Sequence, residues 1–145
     1  MFDKILVATD GSKHGEHAAM RGIELARLSG GNITVVYVAD TGRLSHLPED
    51  MALVSIRDLM LKEGDEATEN VEKMAKESDV ECSKEVLEGH PADMLVSFAE
   101  DHDMDIIILG SCGRSGLDKF LLGSVAEKVV RTSKVPVLTV PGETT

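Results

Sequence analysis

Residues 106–140 read IIILGSCGRSGLDKFLLGSVAEKVVRTSKVPVLTV. Ile106–Leu109 is a continuous apolar run, the pattern of a strand buried on both faces. A glycine-rich loop spans Gly110 to Gly123. Val125–Arg131 has helical spacing, and Pro136–Val140 is rich in β-branched residues, as strands are. Strand, loop, helix and strand in so short a stretch make a βαβ unit, whose two strands lie parallel.

The same alternation runs back to the N-terminus. Ala92–Glu100 reads as a helix opened by Gly89-His90-Pro91, with Pro91 suited to a first helical turn. Cys82–Leu87 alternates weakly as a strand. Residues 50–78 read as a long acidic helix with a stripe of Leu53, Ile56, Met60, Ala67, Val71 and Met74. Gly64 weakens that helix by about 1 kcal/mol relative to Ala. From Asp40 to Asp79 eleven acids stand against five bases. That charge reads as a solvated face, with a partner-docking surface as the alternative. Ile33–Val38 is a strand. Lys13–Leu28 is a helix, apolar at Ala18, Ala19, Ile23, Leu25 and Ala26 and stopped by Gly30-Gly31. Ile5–Ala8 is the first strand, broken by Asp10-Gly11-Ser12. Five strands alternating with four helices predict an α/β fold: one doubly wound parallel sheet of order 3-2-1-4-5 with helices on both faces. A single domain covers 1–145. Ligands of such sheets bind beyond the carboxyl ends of the strands, where the order switches. Here that is between strands one and four, so Asp10 and Gly110 should meet at one crevice.

Composition narrows the function. A net charge of −11 argues against nucleic acid and against an anionic membrane surface. Aromatic residues are 3% of the chain and Trp is absent, so stacking platforms for single strands are not expected. No apolar run approaches the roughly 18 residues of a membrane span, and the N-terminus does not read as a signal peptide. Two cysteines make no disulfide framework. The expected compartment is the cytoplasm.

The loop carries the chemistry. Gly110 and Gly113, then Gly123-Ser124, let backbone approach an anion closely, and Gly123-Ser124 opens a helix whose free N–H groups favour phosphate. Ser124 adds a hydroxyl, or serves as an ordinary N-cap. From Gly110 to Lys134 five bases (Arg114, Lys119, Lys128, Arg131 and Lys134) stand against Asp118 and Glu127. On spacing alone, a loop of turn glycines before a capped helix reads as well. There is no Walker-type lysine and no dinucleotide fingerprint after strand one.

The motif G-x2-G-x9-G-[ST] at Gly110, Gly113, Gly123 and Ser124 resembles that of the ATP-binding universal stress proteins. So do ILVATDGS at residues 5–12, Val35–Val38, Gly89-His90-Pro91 and LLGSVAEKVVRTSKVPVLTV at 121–140. The likeness covers essentially the whole chain and implies an adenine nucleotide alpha hydrolase-like fold. It implies that Asp10 contacts adenosine, Ala8 and Thr9 line the adenine pocket, and Val38 touches adenine. Leu109 would pack near the ribose, and Gly110, Gly113, Gly123, Ser124 and Val125 would wrap the ribose and phosphates. Arg114 belongs to the same loop. Many members carry Pro where this chain has Ala8. The implied ligand is ATP, or ADP or AMP, with Mg²⁺ or Mn²⁺ held mainly by the phosphates.

Other candidates are weaker. His14 and His17 lie three apart near a helix start and read as a surface pair, with a metal site as the alternative. Cys112 reads as a small residue that fits the loop, and Cys82 as inert. Val137–Val140 is an uncharged edge strand, which predicts a homodimer. The expected function is a nucleotide-dependent regulator or sensor with an unknown protein partner and no assigned catalytic residue. The alternative is a slow ATP hydrolase or nucleotidyl transferase.

Overall fold

Ile5, Leu6 and Val7 are wholly buried, as a strand covered on both faces requires. They lie in β1 (Lys4–Ala8), the centre of the sheet. β2 (Asn32–Ala39) and β4 (Ile106–Gly110) flank it in parallel, with Ile5 level with both Ile33 and Ile106. β3 (Cys82–Glu88) lies outside β2, and β5 (Val137–Val140) lies outside β4. The order is therefore β3-β2-β1-β4-β5, as the sequence predicts. The helices are α1 (Lys13–Ser29), α2 (Met51–Glu77), α3 (Pro91–Asp101) and α4 (Ser124–Thr132). This computed structural model describes residues 1–44, 51–112 and 122–142.

Successive strand residues point to opposite faces, so the sheet has two cores. Ile5, Val7, Val35 and Ile108 pack with Ala18 and Ile23 of α1 and Val71 and Ala75 of α2. Leu6, Val36, Ile107 and Leu109 pack with Leu95 and Phe98 of α3 and Val129 of α4. Each fully buried aliphatic side chain contributes about 1.5–3 kcal/mol.

α1 sits directly on β1. A Cβ on Gly22 would lie 2.5 Å from Val7 Cγ2, and one on Gly15 would lie 2.8 Å from Thr9 Oγ1. Both positions are open only to glycine at this separation.

The inward line of α2 differs from the expected stripe. Gly64, Thr68, Val71 and Ala75 are buried, whereas Ile56 is 45% exposed. Ala67 and Met74 are half-buried, and Leu53 lies outside the described side chains. A purely apolar stripe missed the register because two of the inward residues are not apolar. Thr68 satisfies its hydroxyl within the helix by donating to the Gly64 carbonyl at 2.9 Å. Gly64 faces the Tyr37 ring, where a Cβ would lie 2.7 Å from Cδ1 and 3.0 Å from Val86 Cγ1.

Helix propensity and packing therefore make opposite predictions for Gly64→Ala. Propensity favours alanine by about 1 kcal/mol. The Tyr37 ring is buried, so overpacking should prevail and destabilise the protein by about 1–3 kcal/mol. Urea unfolding checks the sign; a more stable variant would mean that α2 does not sit this close to β2.

Candidate functional site

The carboxyl end of β1 is held by a short relay. Thr9 is buried and donates its N–H to the Val36 carbonyl at 3.0 Å. Asp10 Oδ1 accepts from Ser12 N at 2.9 Å and from Ser12 Oγ at 2.5 Å. Ser12 Oγ accepts from Gly15 N at 3.3 Å and is the N-cap of α1. Asp10 is thus the Asx-turn residue that orients the cap. Ala8, just before this relay, is half-buried.

The carboxyl end of β4 meets the same helical turn. A Cβ on Gly110 would lie 3.2 Å from the His14 carbonyl oxygen. Asp10 abuts Gly15, so adjacent residues of α1 touch the ends of both strands. The crevice expected between strands one and four is therefore framed by one helical turn.

Two backbone bonds close the base of the glycine loop. Ser111 N donates to the Val140 carbonyl at 2.9 Å, and Gly123 N donates to the Ser111 carbonyl at 2.7 Å. The start of the loop, its return and the end of β5 are joined. Gly123 is the N-cap of α4, without a side-chain capping bond. Ser124, one alternative for that cap, is instead the first helical residue and is exposed. The early N–H groups of a helix have no partner within it, and its dipole makes that end positive. The half-buried Val125 follows in the same turn.

Val38 is half-buried in β2, level with Leu87 of β3. Leu109 is 4% exposed and its side chain belongs to the α3–α4 core, so backbone is what it can offer a ligand. Gly113 and Arg114 lie outside the described residues. Ala8, Thr9, Asp10, Val38, Leu109, Gly110, Gly123, Ser124 and Val125 all stand at the same end of the sheet or on the helix that opens there.

His14 and His17, expected as a surface pair, are both half-buried. The His14 ring occupies the space beside Gly142 that a Cβ there would need. Among the described residues, no group of three or more His, Cys, Asp or Glu side chains is placed to hold a metal ion. Burial, and then the nearby Glu72 charge, push the Cys82 thiol up to about 11, which fits its inert reading. Cys112 is half-buried and accepts a long contact from Ser111 Oγ at 3.9 Å.

One feature escaped the sequence. A cleft of about 320 Å³ between α1 and α2 is lined by Thr9, Gly11, Glu16, Glu63, Glu66, Ala67 and Asn70. Asn70 Nδ2 donates to Glu16 Oε1 at 3.3 Å and ties the two helices together. The carboxylates come from helices far apart in sequence, so no local spacing could reveal the cleft.

The model of the universal stress protein family matches residues 1–141. The universal stress protein MJ0531 of Methanocaldococcus jannaschii is 39% identical over 97% of this chain and 82% of that protein. Among solved structures, MJ0577 of the same organism superposes with a TM-score of 0.87 at 29% identity, covering 100% of this chain and 99% of the other. A universal stress protein of Archaeoglobus fulgidus in complex with dAMP gives 0.71 at 26% identity, covering 96% and 98%. The chain belongs to the universal stress protein family.

Proposed function

We propose that this protein binds an adenine nucleotide at the carboxyl ends of β1 and β4 and acts as a nucleotide-dependent regulator or sensor in a stress response. The observation that carries the reading is the joined base of the glycine loop, Gly123 N to the Ser111 carbonyl, beside the start of α4 with Gly123 as its N-cap. That arrangement offers backbone donors and a positive helix end to phosphates before any ligand arrives. The related Archaeoglobus fulgidus structure holds dAMP. Adenosine would meet Ala8, Thr9, Asp10 and Val38. The ribose and phosphates would meet Gly110, Gly113, Gly123, Ser124 and Val125, with Arg114 nearby and the Leu109 backbone beneath.

ATP is the proposed ligand, with ADP and AMP as its smaller forms. The described residues offer no cluster of metal ligands, so Mg²⁺ or Mn²⁺ would be held by the phosphates and water. Nucleotide occupancy would set the conformation of the loop after Gly110, and a protein partner would read it. Among the described residues no helix is long and apolar enough to cross a membrane. We place the protein in the cytoplasm, away from nucleic acid.

The edge strand β5 supports a homodimer through Val137–Val140. Leu138 is 41% exposed, while Val140 is 6% exposed and belongs to the α1–α2 core. A lysine at Val140 would therefore report on folding. Leu138 is the position that reports on assembly.

Isothermal titration with Mg·ATP should give a micromolar or tighter dissociation constant. Gly113→Val should abolish binding by standing a side chain where the phosphates approach. No heat with the wild type, or unchanged affinity in the variant, would remove the site. Turnover should be slow, because the sequence assigns no catalytic base to the loop and none is identified beside it among the described residues. Steady-state hydrolysis is expected far below the enzyme median of about 10 per second; a rate near it that Ser124→Ala abolishes would establish the hydrolase reading instead. Light scattering should find a dimer for the wild type and a monomer for Leu138→Lys; a wild-type mass near 15.6 kDa or a dimeric variant would exclude pairing through β5.

A further inference from the structure

Helix α2 carries a surface that meets the proposed nucleotide seat only at Thr9. Ile56 and Leu59 are 45% and 59% exposed. Glu63, Glu66 and Asn70 follow them at steps of four, three and four residues. Residues three and four apart share one flank of a helix, so the two apolar side chains lead into the acidic cleft between α1 and α2. Glu63, Glu66, Ala67 and Asn70 line that cleft from one side, and Thr9, Gly11 and Glu16 line it from the other. Among the described residues, no lysine or arginine lines it.

We propose that this groove docks a basic amphipathic helix of a partner protein. The argument is charge complementarity joined to exposed apolar surface. A fully solvated helix face gains nothing from Ile56 and Leu59, whereas an amphipathic partner helix would cover them with its apolar side. Its lysines or arginines would then face Glu16, Glu63 and Glu66, which repel any anionic partner. The groove also reaches Gly11, the residue after Asp10, so a docked helix would touch the turn that ends β1. The groove shares Thr9 with the proposed adenine pocket, so its test is run without nucleotide.

The probe is a fluorescently labelled amphipathic peptide built of leucine and lysine, titrated with the full chain and followed by anisotropy. Saturable binding is expected, weakened by salt, and lowered about tenfold by Glu63→Lys/Glu66→Lys and again by Leu59→Ser. These side chains lie at the surface or beside the cleft, and circular dichroism melts will establish that the variants are folded. The control is Asp65→Lys/Glu100→Lys, which makes the same change in net charge at exposed positions off the groove. It should leave binding within about twofold of the wild type. Absence of binding to the wild type, unchanged binding in the groove variants, or equal losses in groove and control variants would each overturn the proposal. If the double variant does not fold, Leu59→Ser and the control decide between the same outcomes.

Discussion

The close seating of α1 on β1 is the constraint on which the site depends. Gly22 lets the helix approach Val7, and Gly15 lets its first turn approach Thr9 and Asp10. One turn of helix can then touch the ends of β1 and β4 together. A bulkier residue at either glycine would lift α1 off the sheet. Asp10 would lose the Ser12 cap that it orients, and Gly110 would lose the backbone it rests against.

Charge is divided along the same lines. The chain is strongly acidic, and carboxylates gather along α2 and in the cleft beside α1. The Arg57 guanidinium, bonded to Glu88 through two nitrogens, ties α2 to the end of β3 and holds that carboxyl below its usual range. The surroundings of α4 are basic in sequence, and its start at Gly123 adds the positive end of a helix. An anion approaching the end of the sheet is favoured on the β4–α4 side and repelled on the α1–α2 side. The same division lets the proposed nucleotide and the proposed helical partner occupy different flanks of the turn after β1.

Much of this was legible in the sequence. Continuous apolar runs at Ile5–Ala8 and Ile106–Leu109 identify strands covered on both faces, and the alternation with helices gives a parallel sheet whose expected order the structure shows. The glycine spacing identifies the loop through its resemblance to the family motif, while spacing alone also reads as a loop of turn glycines. The inward line of α2 was not legible. Thr68 hides its hydroxyl inside the helix and Gly64 serves a ring on another strand, so neither reads as core by residue type. The cap of α4 shifted by one residue because glycine and serine both serve at helix starts. His14 reads as a surface residue until the chain beyond β5 is placed beside it. The acidic cleft depends on how two helices face each other, which no local window contains.

The central claim is that the ends of β1 and β4, with the start of α4, form one nucleotide seat. The most direct measurement is a titration of isotope-labelled protein with Mg·ATP, followed by backbone amide shifts. The account predicts saturable changes that share one dissociation constant at Asp10, Gly110, Gly123, Ser124 and Val125, with β3 nearly unmoved. Changes centred on the α1–α2 cleft, or none at Gly123 and Ser124 at saturating nucleotide, would contradict it.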